Sequence, residues 1–217
     1  EQFLIKISFM RKQKESKREQ VPSGTHIARC FSMVHIGTTT WEYLGETKET
    51  DKVRISFEIP GEMRVFSEDQ GEQPMVIDKE YTLSMHEKAN LRKDLESWRG
   101  KTFSDKEARE FDILNLIGIP CSLGVIHKDT KGGNTYARIS SISGIPKGIK
   151  APDQINKNQI FDYNDNFSED FIESLPTWIV EQIKETPEYK KIHSEDSTIV
   201  IDQMEKENNT NEDDCPF

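Results

Sequence analysis

The sequence predicts a mainly β domain with helical additions, followed by an acidic tail. Residues 52–59 alternate strictly between apolar and polar side chains, which is the pattern of a half-buried strand. Two Ser-x-x-Glu sequences, at Ser84–Glu87 and Ser104–Glu107, are typical of helix starts. Residues 151–217 carry 5 Lys and Arg against 17 Asp and Glu, whereas residues 1–150 carry 24 against 22. The net charge of −10 therefore comes from the C-terminal third, and the nearly neutral body can still line one face with cations.

Length and composition indicate one folded domain with tails. With 217 residues and 34% hydrophobic side chains, the chain can bury one core of about 100–150 residues. No apolar run approaches the roughly 18 residues of a membrane span, and residues 3–9 are too short for a signal-peptide core. Three cysteines without a C-x-x-C pair argue against a disulfide framework. We therefore expect a soluble protein of a reducing cytoplasm.

Residues 1–20 are predicted to form a basic N-terminal arm. Met10 opens a run that is natural for the start of a protein, so residues 1–9 are interpreted as an upstream extension. Residues 11–18 contain five cations and one Glu. Such a segment can touch phosphates, but a solvated, disordered arm is the favoured interpretation.

Three strand regions are predicted before the first helix. Residues 25–36 are β-branched, aromatic and small, and Gly37 is expected to bend or end this first strand. The second strand is the alternating segment 52–59. A short strand over residues 63–66 and a longer one over residues 75–83 follow, on either side of an acidic loop.

The helical insert comes next. Helices are expected to start at Ser84 and Ser104, and the apolar residues that follow each start are interpreted as core. Strand structure resumes over residues 121–127, and residues 128–134 are predicted to connect it to a last strand over residues 135–143.

This order matches that of an OB-fold, a five-stranded, partly open Greek-key barrel. In that fold a helix lies between the third and fourth strands, where the helical insert falls here. We therefore predict an OB-fold-like domain over residues 21–150.

A helical extension is predicted over residues 151–187. Ser168 is placed as the cap of one short helix and Pro176 in the first turn of another, with Trp178, Ile179 and Ile183 on the apolar side. We expect these helices to dock on the barrel, with a dimer contact as the alternative. Residues 188–217 are predicted to be a flexible acidic tail.

The tail ends in Glu212-Asp213-Asp214-Cys215-Pro216-Phe217. A phenyl ring can fill an apolar pocket of a partner while neighbouring carboxylates pair with Arg or Lys at its rim. The alternative interpretation is a solvated acidic tail that serves only solubility.

This tip resembles the C-terminal tip of bacterial single-stranded-DNA-binding proteins, and phage-encoded counterparts also carry acidic tails. Cys215 stands where that tip usually has an aliphatic residue. The resemblance implies sequence-independent binding of single-stranded DNA in phage replication, recombination or repair, inside a bacterial host cell. It also implies that Asp213, Asp214, Pro216 and Phe217 recruit replication or recombination proteins such as polymerase, helicase or primase.

A surface that holds single strands needs cations for the phosphates and aromatic rings for the bases. The second strand turns Lys52 and Arg54 away from its apolar face, and the last strand does the same with Tyr136 and Arg138. The predicted DNA-binding residues are Arg29, Phe31, Trp41, Tyr43, Lys52, Arg54, Lys128, Lys131, Tyr136 and Arg138. For each of them the alternative is ordinary packing or a solvated charge.

Catalytic motifs are missing from the sequence. It contains no G-x-x-x-x-G-K-[ST], no G-x-S-x-G and no H-E-x-x-H. His26, Cys30, His35, Cys121 and His127 are of metal-ligand types, but their spacing matches no zinc pattern. We therefore expect neither an enzyme nor a cofactor.

Two other functions and the oligomeric state stay open at this point. A protein-interaction adaptor, with an OB-like barrel and no nucleic-acid role, is the main alternative. A nuclease is disfavoured because no catalytic cluster is apparent. Homo-oligomer formation is compatible with the sequence.

Overall fold

The computed structural model describes residues 19–69 and 71–194. The predicted partner-binding residues Asp213, Asp214, Pro216 and Phe217, and most of the predicted basic arm, lie outside these ranges. No helix in the described part of the chain is long and apolar enough to cross a membrane.

Within the described residues, six strands form one sheet. They are β1 (Gly24–Tyr43), β2 (Glu46–Val65), β3 (Glu72–Thr82), β4 (Pro120–Asp129), β5 (Thr135–Ser143) and β6 (Gln159–Phe161). The first five lie in the order β3-β2-β1-β4-β5 with antiparallel neighbours, and β6 runs parallel to β1. The mainly β prediction is confirmed, whereas β6 was not predicted.

Helical segments lie between β3 and β4 and after β6. They are α1 (Asn90–Arg99), α2 (Asp105–Glu110), a 3-10 turn (Ile113–Leu116), α3 (Glu169–Ser174) and α4 (Thr177–Lys184). Residues 187–194 are also helical. Helices α1 and α2 and the 3-10 turn lie between β3 and β4, so the predicted position of the helical insert is confirmed.

The two capping-box predictions have different outcomes. Ser104 Oγ accepts from Glu107 N at 3.2 Å, and the Glu107 carboxylate accepts from Ser104 N at 2.9 Å. These two bonds hold the pKa of Glu107 at about 2. A helix start at Ser84 is wrong, because Ser84 Oγ accepts from His86 N instead and closes a local turn. Helix α1 begins six residues later, at Asn90.

Of the two outcomes predicted for Gly37, a bend or an end of the strand, the structure shows an irregularity, and the strand continues to Tyr43. Gly37 lies at an irregularity in the β1–β2 ladder with a φ of 97°, and the pairing continues beyond it. Leu44 and Gly45 then have φ values of 53° and 80°, the positive angles that a tight hairpin turn requires. The β1–β2 hairpin is therefore long, and its far end projects as an arm.

The main core lies on one face of this sheet. Val53, Ile55, Phe57 and Ile59 are all buried there, as their alternation predicted. Leu91, Leu95 and Trp98 of α1 pack into the same core.

The C-terminal helices dock on the opposite face of β1. Their core joins Val34 and Ile36 of β1 with Ile172 of α3 and with Ile179 and Ile183 of α4. The loop that precedes β6 is held by Glu58, whose carboxylate accepts from the backbone N–H groups of residues 155 and 156 at 2.8 and 2.7 Å. The predicted docking of these helices on the body is thus confirmed.

Candidate nucleic-acid interface

The sheet is open between β3 and β5. No ladder joins these two strands in the described residues, although they approach each other closely, and both line a cleft of about 1080 Å³. Tyr81 and Thr82 line one side of this seam cleft, and Tyr136 and Arg138 line the other.

A second cleft, of about 1090 Å³, lies between the β1–β2 hairpin and the C-terminal helices. Thr39, Trp41 and Thr50 line the hairpin side, while Gln182 and Lys190 line the helical side. We call it the hairpin cleft.

A third cleft, of about 950 Å³, lies between β3, residues 19–21 and the start of β5. Its lining includes Arg54, Phe66, Val76 and Tyr136. We call it the β3 cleft.

The three clefts share lining residues. Lys52 and Thr82 belong to both the seam cleft and the hairpin cleft. Asp78 and Tyr136 belong to both the seam cleft and the β3 cleft. The clefts therefore form one continuous surface, which we call the trough.

The exposed aromatic side chains of the described residues gather around the trough. Those with more than a third of their surface exposed are Trp41 (47%), Tyr43 (52%), Phe66 (56%), Tyr136 (43%) and Trp178 (50%). Trp41, Phe66 and Tyr136 line the clefts directly. Tyr43 contacts Trp41, and Trp178 contacts the cleft residue Arg54. Exposed rings grouped along one surface can stack on unpaired bases.

The projecting end of the β1–β2 hairpin combines two of these rings with a cation. The ring centroids of Trp41 and Tyr43 lie 5.8 Å apart, and Lys48 Nζ lies 5.7 and 5.0 Å from them. Trp41 Nε1 donates to Thr50 Oγ1 at 3.2 Å, which fixes the indole against β2. The arm thus presents a positive charge directly beside a stacking surface.

Two predicted cations of the trough already pair with carboxylates. Lys52 Nζ lies 2.7 Å from a carboxylate oxygen of Glu80, and Arg54 pairs with Asp78. Arg54 also lies against the ring of Trp178, with its guanidinium carbon 4.6 Å from the ring centroid. These two side chains therefore contribute less free positive charge than the sequence suggested.

Other predicted cations remain free of carboxylates. Lys128, Lys131 and Arg138 are exposed and form no ion pair with any residue in the described ranges. Lys128 pairs with Tyr136 in the β4–β5 ladder, so this hairpin places cations beside an exposed ring at one edge of the seam cleft. The residues that line the three clefts include six Lys or Arg and five Asp or Glu, so the trough itself is close to neutral, with Lys128 and Lys131 as further cations in the adjoining β4–β5 hairpin.

Arg29 and Phe31 do not lie at the trough. The Arg29 guanidinium donates to the carbonyl oxygens of Pro152 and Gly118 at 2.6 and 2.7 Å, so it fastens two loops to the sheet. Phe31 is only 7% exposed and cannot stack on a base in this conformation. Five of the ten predicted DNA-binding residues therefore line the trough, namely Trp41, Lys52, Arg54, Tyr136 and Arg138. Tyr43 and Lys128 lie beside lining residues, Lys131 lies in the adjoining β4–β5 turn, and Arg29 and Phe31 are set apart.

The sequence interpretation missed three residues of this surface: Lys48, Phe66 and Trp178. A usable signal existed for the end of the β1–β2 hairpin. Thr39, Trp41 and Tyr43 alternate along one strand, and Lys48 follows after the turn. Trp178 was assigned to the apolar side of its helix, next to Ile179, and no local pattern distinguishes it from a core residue.

The metal-ligand types identified in the sequence do not converge. No group of three or more such residues in the described part of the chain is placed to hold a metal ion. His26 and His127 bond instead to the backbone oxygens of Pro22 and Val21. Burial raises the pKa of the Cys30 thiol to about 12, so it is protonated at neutral pH.

No protein-family model matches this chain, and no curated protein matches it at a significant level.

Proposed function

We propose that this protein binds single-stranded DNA, independently of sequence, along the trough. The observation that carries the proposal is the gathering of five exposed aromatic rings around connected clefts. An unpaired base has a free π-face that each ring can cover, and every base offers such a face. Cations along the backbone path add affinity without reading sequence.

The sheet supports an OB-fold assignment for the body. Strands in the order β3-β2-β1-β4-β5, with a helical insert between β3 and β4, follow the connectivity of that fold. The two hairpins that flank the trough, with Trp41 on one and Lys131 on the other, occupy the positions of loops that bind oligonucleotides in OB-folds. The open seam between β3 and β5 is a departure from a closed barrel.

The proposal extends to replication and recombination through the acidic tip. In this view the body holds DNA without a catalytic step or a cofactor, and Asp213, Asp214, Pro216 and Phe217 recruit a polymerase, helicase or primase. The support for this role is the resemblance of the tip alone.

The test is fluorescence anisotropy with labelled oligo-dT, the matching duplex and an RNA of equal length, at several salt concentrations. We expect tight binding of single strands, weaker binding of the duplex, and affinity that falls as salt rises. Equal or tighter duplex binding would contradict the proposal. No binding to any nucleic acid would favour the adaptor function instead.

A further inference from the structure

Helix α4 has two sides with different environments. Ile179 and Ile183 are buried against β1 and anchor the helix. Trp178 and Gln182 are one turn apart and so lie on a common side, which is not the buried one. Gln182 lines the hairpin cleft, and Trp178 contacts Arg54 of the β3 cleft. This side of α4 therefore borders the outer face of β2, where Lys52 and Arg54 project.

The environment of Trp178 is suited to a further aromatic ligand. Its ring lies against the Arg54 guanidinium, which is itself held by Asp78. Half of the residue nevertheless remains exposed. A guanidinium that is fixed against one side of an indole leaves the rest of the ring accessible, and a base stacked there would join an existing cation–π pair.

We propose that α4 forms one wall of the nucleic-acid groove and that an unpaired base stacks on Trp178. This inference rests on the proposed binding of single strands and adds a contact from outside the predicted OB-fold-like domain. It assigns the C-terminal helices a part in binding, beyond covering β1.

The three tryptophans of the chain permit a direct test. Trp41 and Trp178 are exposed, whereas Trp98 is 6% exposed and its Nε1 donates to the Pro120 carbonyl oxygen. Trp41→Phe, Trp178→Phe and the double variant are titrated with oligo-dT while tryptophan fluorescence is recorded. Labelled oligo-dT reports binding separately by anisotropy. We expect quenching in both single variants and almost none in the double variant, where only Trp98 remains.

Affinity provides the second measurement. Trp178→Ala should weaken oligo-dT binding about 5- to 100-fold, as expected for the loss of one stacked base, whereas Trp178→Phe should retain most of the affinity. Ile119→Ala is the matched control, because Ile119 is 44% exposed but lines none of the three clefts. Thermal unfolding of each variant identifies any loss of folded protein.

The outcomes separate the two proposals. If Trp41→Phe binds oligo-dT without residual quenching, and Trp178→Ala binds as well as the Ile119→Ala control, the inference about Trp178 is overturned and single-strand binding stands. If the unmodified protein does not bind oligo-dT, both proposals fail.

Discussion

Gly37 lies where β1 meets the C-terminal segment. Its φ of 97° lies in a region that side chains with a Cβ rarely adopt. A Cβ at this position would lie 2.9 Å from Glu188 Oε2 and 3.0 Å from Tyr163 Cε2. The absence of a side chain therefore permits both the turn of the backbone and the close approach of residues 163 and 188.

Gly37→Ala should consequently destabilise the fold. We expect a loss of more than about 1 kcal/mol in the free energy of unfolding, measured from urea titrations, because strain and crowding add. Gly61→Ala is the control, since no atom outside its immediate chain neighbours lies within 4 Å of a Cβ there. Its effect should stay within about 0.5 kcal/mol. Equal stability of both variants would contradict the role given to Gly37.

Arg138 offers the simplest test of a phosphate contact, because it is exposed and pairs with no carboxylate in the described residues. If it neutralises one phosphate, Arg138→Gln should weaken oligo-dT binding and reduce the slope of log affinity against log salt by about 0.7. Lys106→Gln on α2 is the control, since Lys106 is exposed and lines none of the clefts. An unchanged slope in Arg138→Gln would place the phosphates elsewhere.

At the scale of elements, local signals predicted most of the fold. The alternation of residues 52–59 was sufficient because one face of β2 is buried in the core. The capping box at Ser104 was sufficient because both of its bonds are local. The identical pattern at Ser84 failed, since a serine can equally bond within a turn, and only the position of the core residues of α1 decides between the two.

Contacts between residues far apart in the chain could not be predicted from the sequence. Strand β6 exists because residues 159–161 find the free side of β1, more than a hundred residues earlier. The ion pairs of Lys52 and Arg54 depend on the register of β2 against β3. The burial of Phe31 depends on the ladder irregularity at residue 31, and the exposure of Trp178 depends on how α4 docks. Neither follows from local alternation.

A cluster of charged and aromatic groups joins β1 and β2 to the C-terminal segment. His35 Nε2 lies 2.7 Å from Asp51 Oδ1, and the Glu188 carboxylate accepts from the backbone N–H and hydroxyl of Thr38. Tyr163 donates to the Ile36 carbonyl oxygen. Residue 188 is the first residue of the predicted tail, but residues 187–194 are helical, so this cluster fastens the start of that tail to the sheet.

The charge on His35 should make this attachment depend on pH. Burial alone would lower the pKa of His35, but the hydrogen bond to Asp51 and the negative charges of Asp51, Glu188 and Asp162 together raise it above its ordinary value. A raised pKa means that the protonated form stabilises the fold. That contribution is complete below about pH 6.5 and is lost as the pH rises through the folded-state pKa.

In the unmodified protein, the free energy of unfolding should therefore fall as the pH rises above about 6.5, and His35→Gln should make this fall smaller. The glutamine amide can still donate to Asp51, but it does not titrate. Urea unfolding between pH 6 and 9 measures the effect. His86→Gln, at an exposed position outside the cluster, should keep the fall seen in the unmodified protein. A fall that persists in His35→Gln would assign the pH dependence to other groups.

At the scale of the whole molecule, charge is divided between a nearly neutral body and an acidic C-terminal third. A polyanionic segment that shares a chain with a cationic site competes with other polyanions for that site. Deleting residues 206–217, which contain four carboxylates and one Lys, should therefore tighten oligo-dT binding. The gain should be largest at low salt, where screening is weakest. Weaker binding by the shortened chain would show that the tail assists DNA binding.

Recruitment of partners should depend on the ring at the tip rather than on its charge. Phe217→Ala retains every carboxylate of the tail, so it should hardly change oligo-dT affinity, yet it removes the group that would fill an apolar pocket. Under the proposed recruitment role, this variant should lose binding to a polymerase, helicase or primase in surface plasmon resonance. Cys215→Val is the matched control, because it introduces the aliphatic residue found in the tips that this one resembles and should preserve binding. If Phe217→Ala binds these proteins as well as Cys215→Val does, the tip does not recruit them through its ring, and the tail is better described as a solubility and competition element.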